Sequence, residues 1–184
     1  MYIRPYEKRD KESVQYVCLN SEGPFKGNKR AMNFTLTVYC DYYLEKEPEN
    51  CFVAVDENDK VIGYIICTEN FDVFRKRFND EFCPRIKKWE FRRRKSALRS
   101  IIPYEKYKEE YPAHLHIDIL PEYQRMGLGH KLTDALISHL KEKKIKGIML
   151  SVSPLNPKGI GFYEKYGFTL LEKNPDSIVY GMKL

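Results

Sequence analysis

The chain has 184 residues, 42% of them hydrophobic and 32% charged, with a net charge of +6 at pH 7. That length suits one domain with a sizeable core, and the composition excludes collagen-like, low-complexity and globally disordered classes. The five cysteines, Cys18, Cys40, Cys51, Cys67 and Cys83, are odd in number and form no CxxC pair, which argues against a disulfide framework or zinc cluster and for thiols in a reducing compartment.

Met1 to Pro5 lacks the apolar core of a signal peptide, and no stretch approaches the roughly 20 apolar residues of a membrane span. A soluble, cytoplasmic protein is the expectation. In chain order, Tyr2 to Tyr6 predicts a short strand, and Lys8 to Leu19 a helix with Asp10 as its cap. Asn20 to Asn28, with Gly23, Pro24 and Gly27, predicts a loop, and Ala31 to Leu44 one aromatic-rich helix. Cys51 to Val55 and Val61 to Cys67 predict a hairpin around the polar turn Asp56 to Lys60.

Asn70 to Tyr111 holds 13 of the 32 Lys and Arg but only 7 of the 26 Asp and Glu, so the whole positive excess belongs to it. Phe71, Phe74, Phe78 and Phe82 recur at helical spacing, and prolines punctuate the segment, which predicts a basic insertion of one or two helices. Arg92, Arg93 and Arg94 are candidates for a basic surface that favours an acidic ligand, or simply for a solvated face.

The second half alternates. Ala113 to Leu120 predicts a strand, Gly127 to Lys144 an amphipathic helix, Ile148 to Val152 a strand and Lys158 to Tyr166 a short helix closed by Gly167. Phe168 to Glu172 and Ser177 to Leu184 predict two closing strands. The order implies an α/β fold with a mixed sheet.

The sharpest chemical signal is Gln124-Arg125-Met126-Gly127-Leu128-Gly129, between a strand and a helix. Such a junction gathers unpaired backbone N–H groups at the positive end of a helix dipole, which suits a phosphate, and Gln124 and Arg125 could add side-chain donors. It is not a dinucleotide fingerprint, because Leu132 stands where a third glycine belongs, and no P-loop lysine is present.

Gln124-x-x-Gly127-x-Gly129 resembles the pyrophosphate signature of the GNAT acetyltransferases, Q/R-x-x-G-x-G/A. Asn156 followed by Phe162-Tyr163-Glu164-Lys165-Tyr166-Gly167-Phe168 resembles the same family's downstream block. His114 to Pro121 and Val152 to Asn156 look like the acetyltransferase-like domain attached to eukaryotic O-GlcNAc hydrolases and its free-standing bacterial relatives.

The resemblance implies one domain over residues 1–184, with a mostly antiparallel central sheet flanked by helices and splayed between the fourth and fifth strands, and the insertion at about 70–111. It implies acetyl-CoA as cosubstrate and direct attack by a primary amine, either a small molecule or a protein lysine. Cofactor contacts would come from Ile117 and Ile119, from Gln124, Arg125, Met126, Gly127, Leu128, Gly129 and His130, and from Ser153, Asn156 and Tyr163. Tyr163 would protonate the departing thiolate; a core tyrosine is the alternative. Asn156 is either a pantetheine contact or a turn residue.

Strand alternation sets His114, His116 and Asp118 on one face, opposite Leu115, Ile117 and Ile119. Asp118 is the leading candidate for catalytic base or amine anchor, with a structural network as its alternative. Glu122 is a second candidate, while the His130 and His139 side chains suit packing or surface positions. No metal site, membrane or nucleic-acid partner is expected; a homodimer is left open. A silent acetyl-CoA-binding sensor is the competing function.

Overall fold

A computed structural model describes all 184 residues. One mixed sheet of seven strands runs through the molecule in the order β1-β2-β3-β4-β5-β7-β6. The strands are β1 (Tyr2–Pro5), β2 (Cys51–Val55), β3 (Val61–Thr68), β4 (Ala113–Ile119), β5 (Gly147–Val152), β6 (Thr169–Lys173) and β7 (Ile178–Lys183). Every neighbouring pair is antiparallel except β4 and β5. That parallel pair is brief: Ala113 faces Ile148, His114 faces Met149, and there the pairing stops.

The helices are α1 (Lys11–Asn20), α2 (Lys29–Tyr39), α3 (Asp41–Lys46), α4 (Phe71–Arg77), α5 (Phe91–Ser100), α6 (Ile102–Glu105), α7 (Leu128–Glu142) and α8 (Pro157–Tyr166). They form two layers, each with its own core. Leu128, Leu132, Leu136 and Leu140 of α7 cover one face with Ile62, Ile65, Leu115 and Ile148. The aromatic residues of α3 and α4 cover the other. No helix is long and apolar enough to cross a membrane.

Three details depart from the sequence expectations. The predicted helix over Ala31 to Leu44 is two helices, broken at Cys40, where φ and ψ leave the helical region at −137° and −60°. The break turns Tyr42, Tyr43 and Leu44 into the core, which burial rewards more than helix continuity. Asp10 makes no side-chain cap for α1. Its carboxylate instead accepts from the Glu7 amide at 2.9 Å and from Arg4 at 2.7 and 2.9 Å.

The basic segment carries three α-helices where one or two were expected. It folds as α4, a π-turn at Phe78–Phe82, a 3-10 turn at Cys83–Arg85, then α5 and α6. Phe71, Phe74, Phe78 and Phe82 are all at most 1% exposed. Burial of each contributes about 1.5–3 kcal/mol, so the segment helps to hold the domain together. Its cations remain on the outer side.

Candidate active site

The site is the gap that opens where β4 and β5 part. A cleft of about 1170 Å³ occupies it. Its walls include Ser21, Glu22, Tyr39, Tyr43, Arg99 and Tyr104, together with Ser151, Ser153, Asn156 and Tyr163, and His114, His116, Ile117 and Asp118 along β4.

Pairing fixes what β4 offers. The Leu120 amide donates to Ile62 O at 3.0 Å, so the even-numbered residues of β4 turn their main chain to β3. The main-chain groups of Ile117 and Ile119 therefore face the edge where β5 has departed, the Ile119 carbonyl being taken by the Gln124 side chain. Their side chains pack on the α7 layer. Both halves of the alternation expected from sequence hold.

The loop before α7 supplies the second element. The six consecutive amides from Arg125 to His130 have no acceptor within the protein, and no side chain caps the helix. Gly127 has φ of +78° and a Cβ there would meet nothing, so the need for glycine is backbone conformation. Gly129 has the other reason: its Cβ would lie 3.1 Å from the Phe162 ring, where α7 begins against α8. Arg125 also carries a positive φ, +64°, which costs a non-glycine residue about 1–3 kcal/mol. Met126 and Arg125 are exposed and Leu128 is buried. These bare, convergent amides fit a diphosphate.

Two sequence-derived roles change here. Gln124 does not present its side-chain amide at the rim. Its Nε2 donates to Ser21 O and Ile119 O, both at 3.0 Å, and so ties the loop after α1 to the end of β4. The two carbonyls would otherwise lack a donor, which is why the amide is drawn inward. The His130 ring likewise packs, edge-on to Phe162 at 5.3 Å and tilted against Tyr166 at 5.4 Å. Only its main-chain amide remains for a ligand.

Asn156 combines both of its expected parts. Its Oδ1 accepts from the Gly159 amide at 2.8 Å and caps α8, while the residue also lines the cleft. Ser153 is similar: its Oγ accepts from the Leu155 amide at 3.2 Å at the cleft wall. Tyr163 lines the cleft with no hydrogen-bond partner for its hydroxyl, its ring held against Phe162, Phe168 and Tyr180. Burial raises its hydroxyl above the ordinary tyrosine range, reinforced by nearby Asp118 and Tyr104, so it stays protonated at neutral pH.

Asp118 accepts a 2.5 Å hydrogen bond from the Tyr64 hydroxyl, its cross-strand neighbour. Burial pushes its carboxyl up to about 6, against the hydrogen bonds from Tyr64 and Ser21 and with the help of Glu22. His116 lines the same wall among the edges of Tyr39 and Tyr43, and burial lowers it to about 4. His114 is fully buried and neutral, joined to Tyr43 Oη at 2.8 Å through Nε2 and stacked on Tyr104 at 4.5 Å, while its Nδ1 has no partner. A base works best near the operating pH, which favours Asp118 over either histidine. Glu122 is exposed beyond the strand and does not line the cleft. His139 lies at the far end of α7, bonded to Asn50.

Sequence reasoning missed Tyr43, Tyr64 and Tyr104, which frame the polar row. Their only signal was the density of aromatics, because the contacts link residues 43, 64, 104 and 118 across the chain. It also pointed to Arg92 to Arg94, whereas Ser96, Arg99 and Ser100 are the α5 residues that line the cleft.

The chain is similar to known proteins in family and in fold. The model of the acetyltransferase (GNAT) family matches residues 19–168. N-alpha-acetyltransferase 30 of Schizosaccharomyces pombe is 28% identical over 127 residues, 69% of this chain and 62% of that protein. The chain spans less than two thirds of the length of the curated relatives it matches. The crystal structure of SsHAT superposes with a TM-score of 0.86 at 23% identity, covering 98% of this chain and 96% of that one. The PaiA N-acetyltransferase of Thermoplasma acidophilum, solved in complex with coenzyme A, has a TM-score of 0.61 at 17% identity and covers 99% and 98%. With its split sheet, its uncapped glycine loop and a family match over most of its length, the chain belongs to the acetyltransferase (GNAT) family.

Proposed function

We propose that this protein transfers an acetyl group directly to a primary amine, with both substrates held in the β4–β5 cleft. The observation that carries the reading is the meeting, in one cleft, of an unpartnered protonated tyrosine, a raised carboxylate and bare strand amides. Acetyl-CoA supplies the activated acyl thioester when bound.

The residues divide the work. The amides of Arg125 to His130 would hold the diphosphate, with Arg125 adding charge at the rim. Ile117 and Ile119 would bond the pantetheine arm through main-chain groups, and one such amide would polarise the thioester carbonyl. Ser153 and Asn156, which line the cleft, would face the arm from its other side. Asp118 would take a proton from the acceptor ammonium at a carboxylate oxygen, and Tyr163 Oη would hold the proton a departing thiolate needs. Tyr64 keeps the Asp118 carboxylate oriented. We further propose that His114 to Pro121 and Val152 to Asn156, on this same wall, mark a finer kinship with the O-GlcNAc hydrolase-attached domain and its free-standing bacterial relatives.

The test is thiol release from acetyl-CoA across a panel of small amines, lysine peptides and peptide N-termini. Turnover with at least one amine, lost in Tyr163→Phe, is expected. Tight acetyl-CoA binding with no turnover on the whole panel would favour the silent sensor instead.

A further inference from the structure

Helix α5 carries a face that the catalytic reading leaves unused. Residues 85–99 hold eight Lys or Arg and a single acid, Glu90. Glu90 faces Arg30 and Arg93 at 3.8 and 3.7 Å. Arg92, Lys95 and Arg99 are exposed and pair with no carboxylate. Their spacing, with Ser96, puts them on one stripe of the helix. The stripe ends inside the site, because Ser96 and Arg99 line the cleft. From Arg99 to Arg92 it runs about 10 Å, the reach of about three extended residues.

The opposite polarity stands deeper in. Asp118 sits on β4, and Glu22 lies close enough to oppose its charge. Asp176, on the β6–β7 turn, is the remaining carboxylate of the mouth. Asp118 and Glu22 therefore make the reacting end anionic, Asp176 adds one carboxylate at the mouth, and the α5 exit is cationic.

We propose that the Arg92–Lys95–Arg99 face of α5 is a docking track for the acceptor, and that the acceptor is a polypeptide with acidic residues following its reacting amine. This rests on the acetyl-transfer reading above and names the substrate class for it. An ammonium head matches Asp118 and Glu22, and an acidic tail matches the track. A small amine would leave the track unused.

The test uses short peptides that differ only in the three residues after the reacting amine, all Glu, all Ala or all Lys. At low salt the Glu peptide should show a KM about five- to tenfold below the Ala peptide, with the Lys peptide worse than both. Added salt should narrow the difference. The exposed double variant R92E/K95E, which alters no residue assigned to the reaction, should reverse the order while thiol release with the Ala peptide stays unchanged. Equal KM for all three peptides, with turnover intact, overturns the docking track and leaves the acetyl-transfer reading standing. Exposed Trp89 beside Lys87 would also suit stacked bases. Tight binding of a single-stranded RNA that R92E/K95E abolishes, with a flat peptide preference, likewise overturns the proposal. No turnover on any amine sinks the acetyl-transfer reading instead.

Discussion

One part of the site offers a ligand main chain: the amides of Arg125 to His130 and the edge of Ile117 and Ile119. The other part offers side chains drawn from distant stretches: Ser21 and Glu22 after α1, Tyr39 and Tyr43 around the Cys40 break, Arg99 to Tyr104 on α5 and α6, and the polar row of β4. The first part depends on local backbone shape, which a short glycine motif encodes. The second depends on tertiary packing. Binding of a diphosphate can therefore be common to many chains of this fold, while the choice of acceptor is written in residues that share no motif.

The comparison is sharpened by substitutions that should separate rate from cosubstrate affinity. Tyr163→Phe should lower kcat by about 1000-fold with little change in the KM for acetyl-CoA, measured by thiol release. Asp118→Asn should lower kcat/KM for the amine by about 100-fold. With Asp118 as the base, the active form would be the carboxylate, so kcat/KM should be flat well above about 6 and fall tenfold per pH unit below it. Tyr64→Phe removes a hydrogen bond that favours the carboxylate, so this acid limb should move to higher pH.

The main-chain part should behave differently. Gly127→Val forces a branched residue to a φ of +78° and should raise the KM for acetyl-CoA about 30-fold, with the catalytic step itself preserved. The smallest effect is expected from Gln124→Leu, which leaves Ser21 O and Ile119 O without their donor. A loss of about 1 kcal/mol, or about 2–4 °C in Tm, should accompany a modest rise in the acetyl-CoA KM. A large kcat defect there would show that the two parts are not separable.

Much of this was legible from residues alone. Hydrophobic period placed α7 and all seven strands to within a few residues, since each is a strongly patterned element. The alternation His114, His116, Asp118 gave the polar row directly. What failed has a common cause. The helix break at Cys40, the inward turn of Gln124 and the structural part of residues 71–105 all follow from contacts with partners far away in sequence. The four phenylalanines at helical spacing were visible, but not that a break at Cys40 would bring Tyr42 and Tyr43 to meet them.

Titration of the unaltered protein with coenzyme A in a calorimeter probes the central claim most directly, because it reads the loop before α7 without needing any acceptor. Saturable heat with one site per chain and a micromolar Kd, weakened about 30-fold in Gly127→Val, is the predicted result. Absence of heat at millimolar ligand, or equal affinity in the two proteins, would contradict it.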